Sequence, residues 1–559
     1  MAKKDERPPY GSVSIPSGER KYNVIRWGWQ GLNRTDDIDT GQLSDAGGVV
    51  IDQPYVYPNK KPKIWIDFAS GYPHGGSKVS TAPRAQGVPV GIFGFDNQLV
   101  FLWEYKYPDE PYVGYITKYR RSADGDTDIR QHSMWRQATS NAGLPSSVVQ
   151  FNVVDTSSGN IVEYTYDRKL LAYPYCYSVP YEFGSTSSPA SSFNTNDNPI
   201  PVSNFAAVYG SRVFGVSDNA VFGSAYNSYV DYTLDTAEDI ASDHAWWSMS
   251  QSNTEADGNF TAICTFDNHV VLFKKDYMQL VYNNKNPFRI VDVGGYGCDN
   301  DKSWTILNGV LYFASREKVY AFTGGTPKDI SKKLEIKDLS GAVMGSYRDT
   351  VWLQTKDSMY TYKDGVWSDV GNPFASFPNG QYSQVVQFAT LDYGLVGLVK
   401  TYNPEWLGPP TYALWYLDWD VEAIEPAPDE PEEWDPDYED LDWWFETDLM
   451  ALGRLDVRRV KKFSALTYGK HAAKLAVYLL PDSEKIHIDG TLTDGQKAEL
   501  APYKVADDVY VGDGKKLIRV LTRQFAGTAH RLLFVGRGYI KFFAAEIKIS
   551  WGGELYVTK

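Results

Sequence analysis

Seven histidines, His74, His132, His244, His269, His471, His487 and His530, are the side chains of this sequence whose charge changes near neutral pH. No two of them form a His-Glu-x-x-His pair, and their wide separation supplies no local metal site, so ordinary surface or core histidines are expected. The run Asp124-Gly-Asp-Thr-Asp128 alternates carboxylates as a calcium loop does. A full loop needs a bidentate Glu at its end, and the run reads as a polar turn instead. Cys176, Cys264 and Cys298 cannot all pair and have no Cys-x-x-Cys spacing, which suggests neither a disulfide framework nor a zinc site, but buried thiols. Gly512-Asp-Gly-Lys-Lys lacks the spacing of a phosphate loop and resembles a hairpin turn.

Glycoside hydrolysis needs two carboxylates about 5–9.5 Å apart in a cleft, which spacing along a chain with 70 acidic residues does not establish. The densest basic cluster, Arg458-Arg459-Val-Lys461-Lys462, would be split between two faces by strand alternation. A solvated strand edge, protected from pairing by its charge, is the expectation there, and sequence-specific DNA binding is not. No catalytic, cofactor-binding or metal-ligating residue is singled out, and no enzymatic activity is expected.

The elements that would position any site are strands. The chain has 559 residues, 43% hydrophobic and 22% charged, which excludes disorder, collagen-like repeats and a coiled coil for its bulk. Aromatic residues reach 15%, with 40 Tyr, and 47 Gly and 30 Pro favour sheets and turns over helices. The start lacks the apolar core of a signal peptide, and no apolar run reaches the roughly 18 residues that span a bilayer, so synthesis in the cytosol without integral membrane association is expected.

From about residue 93 to 417 the sequence repeats a short apolar run, a Gly/Asn/Asp turn and a second run. Ala206-Ala-Val-Tyr-Gly-Ser-Arg-Val-Phe, Thr261-Ala-Ile-Cys-Thr-Phe-Asp-Asn-His-Val-Val, Thr305-Ile-Leu-Asn-Gly-Val-Leu-Tyr and Met344-Gly-Ser-Tyr-Arg-Asp-Thr-Val-Trp are such hairpins, and a third run often follows. The theme recurs at about 40–50 residues, the period of β-propeller blades. Units near 95–120, 150–175, 205–232, 261–291, 303–331, 342–370 and 385–417 predict six or seven blades, with a pair of β-sandwiches as the competing architecture. Strand-like runs beginning at Lys461, Lys474, Lys516, His530 and Tyr539 predict a small C-terminal sandwich.

Charge divides the chain. Residues 422–448 hold 13 acidic residues and no Lys or Arg, residues 1–421 net −10, and residues 449–559 net +8. The predicted organisation is all-β: an N-terminal extended arm with first strands over 1–90, a propeller over 91–421, an acidic Pro/Glu-rich linker over 422–445, and a β-sandwich over 446–559.

Three stretches carry a family resemblance. Ile25-Arg-Trp-Gly-Trp-Gln-Gly-Leu-Asn-Arg, with Asp39-Thr-Gly-Gln-Leu-Ser-Asp-Ala-Gly-Gly and Pro54-Tyr-Val-Tyr-Pro, resembles the opening of bacteriophage virion proteins, particularly from phages of Gram-positive hosts. Arg212-Val-Phe-Gly-Val-Ser-Asp-Asn, Leu272-Phe-Lys-Lys-Asp-Tyr-Met-Gln-Leu-Val-Tyr and Gly309-Val-Leu-Tyr-Phe-Ala look like successive blades of that family, and Glu446 to Gly552-Gly-Glu looks like its last module. The family resembles the tail nozzle, or packaged-DNA stabilisation protein, of short-tailed phages. That resemblance implies a structural virion protein without cofactor, assembled in the host cytoplasm. It would form a homo-oligomeric ring, a hexamer, below the portal and adaptor rings, and hold or conduct genomic DNA in its lumen without sequence specificity. Ala46-Gly47-Gly48 departs from the usual polar, Asn-containing stretch, and the acidic linker is unusually long. The competing reading is a receptor- or glycan-binding, or glycan-cleaving, propeller tail protein.

Overall fold

The computed structural model describes residues 12–14, 22–27, 29–35 and 42–67 and, between 73 and 192, the strands, mostly as backbone. It further describes nearly all of 201–234, 243–249, 258–372, 382–402 and 410–420, together with 442–447 and most of 458–551. Strands make up most of what is described, with turns and loops between them; the helical elements among the described residues are Asp494–Leu500 and the 3-10 turn Ala501–Tyr503 that follows it.

Seven four-stranded antiparallel sheets follow one another along the chain, six of them as uninterrupted meanders. Their first strands are Gly87–Phe95, Pro145–Asp155, Phe205–Tyr209, Ala262–Phe266, Trp304–Leu307, Val343–Tyr347 and Tyr382–Leu391. The hairpins read from the sequence form where turn chemistry asks for them. At Gly210-Ser211, Asp267-Asn268 and Asn308-Gly309 both residues have positive φ, between 44° and 73°, the signature of the two-residue turn that matches strand twist.

The apolar runs are nearly continuous because the fourth to seventh sheets are covered on both faces. Along Ala262–Phe266, residues Ala262, Cys264 and Phe266 pack into a core shared with the fifth sheet, while Ile263 points the other way into a core shared with the third. Val343 and Tyr347 likewise face the seventh sheet, and Met344 faces the opposite side. Period-two alternation here sorts side chains between two cores and not between core and water. Cys264 and Cys298 are free, buried thiols, and burial pushes both pKa values up.

The seventh sheet consists of Tyr382–Leu391, Gly394–Tyr402 and Thr411–Trp419, and its fourth strand is Lys63–Asp67, some 350 residues upstream by position. Trp65 stacks on Tyr416 of the neighbouring strand with ring centres 4.9 Å apart. The first strand of this sheet also lies against that of the first sheet, so the succession of sheets returns to its start.

Apart from the two-stranded sheet Pro73–His74/Ser77–Lys78, the remaining strands make two packed sheets, to which both N-terminal and C-terminal stretches contribute. The longer sheet runs Ser12–Ser14, Tyr22–Trp27, Ile540–Trp551, Arg458–Gly469, Gly514–Leu521, with the hairpin Val49–Asp52/Tyr55–Pro58 attached to Ile540–Trp551. The shorter runs Leu43–Gly47, Asp442–Thr447, His530–Arg537, Ala473–Pro481, Lys504–Val511. The described strands between residues 12 and 58 therefore belong to the same two sheets as the C-terminal strands, and Trp29, Leu32, Leu43, Ala46, Val49, Ile51 and Val56 lie in the shared core. The expected linker ends in Asp442–Thr447, whose Trp443, Trp444 and Phe445 are buried; residues 421–441 lie outside the described residues. Two local readings also change. Arg458–Gly469 is paired on both sides and is no edge, and the strands flanking residues 512–513 belong to different sheets, so that turn is a crossing from one sheet to the other.

The core between these two sheets is aromatic. Trp29 meets Phe445, Phe534 and Phe542 edge-on with ring centres 5.2, 6.4 and 6.1 Å away, and Phe445 stacks on Phe534 at 4.6 Å. Gly536 is required by this packing, since a Cβ there would overlap the Trp443 ring.

A guanidinium joins the shared core and the Ile51 amide on Ser368 Oγ in tying the paired sheets to the sixth meander sheet. Arg34 donates to Asp45 Oδ1 at 2.8 Å, to Asp369 Oδ2 at 2.7 Å and to the Tyr360 hydroxyl at 3.0 Å. Asp369 also accepts from Ser358 Oγ at 2.6 Å and from the Gly371 amide at 2.8 Å. Burial raises the Asp369 pKa, against the pull of Arg34 and these donors, and Arg34 is held above its ordinary value because the acids and Tyr360 outweigh its burial. Removing the cation would leave a buried carboxylate without its counter-charge, so Arg34→Met should lower stability by about 3–5 kcal/mol. Adding Asp369→Asn should recover part of that loss, and denaturant midpoints of the two variants check both statements. Deleting residues 1–67 strips a strand from the seventh sheet and several from the paired sheets, and is expected to abolish the cooperative transition seen by calorimetry.

Candidate functional site

Where the first strands converge they enclose a cavity of about 520 Å³. It is reached by residues of six of the seven sheets, including Phe93, Ala206, Thr265, Trp304, Met344 and Gln387. The strands approach closely because Gly94 and Gly345 stand where a Cβ would overlap Thr390 O and Phe388 of the seventh sheet.

Most polar side chains at this position already bond one sheet to the next. Thr265 Oγ1 donates to Val208 O at 2.7 Å, from the fourth sheet to the third. Thr305 Oγ1 donates to Ser346 Oγ at 2.8 Å, from the fifth to the sixth. Thr390 Oγ1 donates to Ser346 O at 2.7 Å, from the seventh to the sixth. The Gln387 carboxamide bridges the seventh sheet to the first, accepting from the Ile92 amide at 3.1 Å and donating to Ile92 O at 2.9 Å. These groups are satisfied by the fold and hold it at its narrowest point.

The charged residues lining the cavity are Asp301 and Lys302, in the turn before Trp304, beside the Cys264 thiol. Lys302 is fixed through its backbone, its amide donating to Asn300 Oδ1 at 2.8 Å and its carbonyl accepting from the Met344 amide at 2.8 Å. Burial raises the Asp301 pKa and the neighbouring Lys302 charge pulls it back. Such a carboxyl could exchange a proton or accept a ligand hydroxyl, but the described lining supplies no second carboxylate to act with it.

The residues singled out in the sequence do not gather here. His530 is buried between the paired sheets, while His244 lies in the bend before Trp246–Met249 of the third meander sheet and His269 lies on the fourth. His74 and His132 are described as strand backbone, and His471 and His487 lie outside the described residues, as do residues 122–126 of the acidic turn and Cys176. Among the described residues no three His, Cys, Asp or Glu side chains are grouped to hold a metal ion, and no helix is long and apolar enough to cross a membrane. Sequence reasoning missed Asp301, whose signal was available only as an acid placed between Cys298 and the strand at Trp304.

No protein-family model matches the sequence, and no curated protein is similar to it. Solved structures with some likeness include the extracellular domain of a hybrid two-component system protein from B. thetaiotaomicron, at 8% identity and TM-score 0.37. That match covers 69% of this chain, which spans only 44% of the other protein. A Trypanosoma rangeli sialidase matches at 10% identity and TM-score 0.29, covering 83% of this chain and 91% of the sialidase. A glycoside hydrolase family 43 arabinoxylan arabinofuranohydrolase from Bacillus subtilis matches at 10% identity and TM-score 0.23, covering 82% and 95%. At these TM-scores the likenesses assign no activity to this chain.

The raised Asp301 pKa gives stability a definite pH dependence. A carboxyl that holds its proton more tightly when folded contributes fully below its ordinary value of 3.8, and that contribution drains away as the pH rises through the folded value. Asp301→Asn should remove this component, so the difference in urea midpoint between variant and wild type should change in the variant's favour as the pH is raised from below 3.8 towards neutrality.

Proposed function

We propose that the seven sheets are the blades of a β-propeller, closed by Lys63–Asp67 as the last strand of the seventh blade, and that the two remaining sheets form a β-sandwich fixed to it. The return of the seventh first strand to the first, and the shared core between each described pair of neighbours, support that reading.

On this scaffold we infer a structural role: a nozzle-like ring subunit of a bacteriophage tail, homo-oligomeric and hexameric, below the portal and adaptor and around genomic DNA that it retains and conducts. The observation that carries it is the use of polar groups at the convergence of the first strands, where Thr265, Thr305, Thr390 and Gln387 are committed to joining sheets. The N-terminal stretches that resemble phage virion proteins are likewise structural, with Trp29, Leu32 and Leu43 in the core and Arg34 on Asp369. A rigid scaffold needs these features, and turnover does not. The net −10 of residues 1–421 suits a conduit that does not grip phosphates.

A second reading, a glycan-binding or glycan-cleaving tail protein, is favoured by one observation: the 520 Å³ cavity has the size of a small-ligand site and contains a carboxyl of raised pKa. Gold-labelled antibody against the purified chain, applied to virions, is expected to mark the collar or tail axis. Labelling of peripheral fibres, or turnover of host wall or capsule glycans that Asp301→Asn abolishes without lowering the melting temperature, would replace the first reading by the second.

A further inference from the structure

The longer of the two paired sheets has one face in the aromatic core and one facing away from it. Phe463, Ala465, Ile518, Phe542, Ala545 and Ile547 point inward and are buried. A register shift between Val460 and Lys462, opposite Ile549 and Lys548, changes the phase of the central strand, so that Val460 and Phe463 both point inward and Lys462 points out.

The outward positions are strongly cationic. Lys462 and Lys548 are cross-strand partners, Lys515 and Arg519 lie two positions either side of Leu517 on the next strand, and Lys541 lies on the Lys548 strand. Among the described outward side chains of these three strands the acid is Glu546. Asp52, at the edge by the sixth meander sheet, is 3.5 Å from Lys363. Aromatic rings set the lysines in place: Lys541 Nζ is 4.0 Å from the Tyr55 ring centre, and Lys515 Nζ is 5.2 Å from that of Phe543. The five cations thus crowd one face of a chain whose net charge is −15.

We infer that this face binds the phosphate backbone of a nucleic acid without reading its bases. Lys462 and Lys548 sit about 5 Å apart on adjacent strands, Lys515 and Arg519 are four residues and about 13 Å apart along one strand, and Lys541 and Lys515 flank Tyr468 of the strand between them, a spread of charge that meets several phosphates of one backbone. Four of the five are lysines, which act as point charges, and the outward positions named hold no Asn or Gln to pair with a base edge. The site belongs to the free subunit and does not depend on the ring reading.

The test is fluorescence anisotropy of the full chain with labelled single-stranded and duplex oligonucleotides of two unrelated sequences, at about 50 and 200 mM salt. Wild type is expected to bind both sequences about equally and to lose affinity steeply with salt. Lys515→Gln/Arg519→Gln/Lys541→Gln should weaken binding at least tenfold and flatten the log–log salt slope by roughly two, at about 0.7–0.9 per lost phosphate contact. Lys515→Arg/Lys541→Arg should bind as wild type, and Lys328→Gln/Lys332→Gln/Lys337→Gln, on exposed positions of the fifth meander sheet and after it, should leave binding unchanged. Absence of wild-type binding at the lower salt overturns the inference, as does equal loss in the Lys328 control. Salt-dependent self-association through this face without oligonucleotide binding would assign it to a second copy and overturn it as well.

Discussion

A strand from the N-terminal stretch, Lys63–Asp67, completes the seventh sheet by pairing with Thr411–Trp419. Without it Thr411–Trp419 would present an unpaired edge. The seventh sheet meets the first through a shared core, in which Ile92, Leu99 and Phe101 pack with Leu398 and Leu414, and through Gln387 bonded to Ile92.

The same N-terminal stretch serves the paired sheets. Before it reaches Lys63 it has supplied Trp29 and Leu43 to the aromatic core, the Arg34 guanidinium to Asp369, and Tyr22–Trp27 to the side of Ile540–Trp551. The two parts of the molecule are consequently coupled through buried groups that neither part satisfies alone. Asp369 lies on a meander sheet, yet its counter-charge comes from a segment otherwise committed to the other core.

Much of the meander was legible because its information is local. Asn308-Gly309 and Asp267-Asn268 specify their turns by their own backbone preferences, and the flanking apolar runs specify strands. Non-local choices were not legible. Nothing within Leu43–Gly47 or Tyr22–Trp27 says that their partners lie some 400 and 520 residues away, and an apolar strand reads the same beside any edge. The basic run at Arg458 was misread as an edge because strand alternation was assumed to be unbroken, whereas the register shift at Val460/Lys462 lets a central strand keep its apolar face inward while showing a lysine outward. Asp301 escaped notice since burial, and not residue type, makes it unusual.

The pairing of Tyr22–Trp27 with Ile540–Trp551 has a consequence for how the molecule comes into being. On a ribosome the first of these strands emerges long before its partner exists, and so does the closing strand of the seventh sheet. Until those partners are made, both are strands without a sheet, with free backbone groups. The meanders between can fold as they appear, sheet by sheet, but the join at Lys63–Asp67 waits for Thr411–Trp419 and the join at Tyr22–Trp27 waits longer, for Ile540–Trp551. Completion is then two successive captures of waiting N-terminal strands, and a chain truncated before residue 540 would leave Tyr22–Trp27 without a place to go.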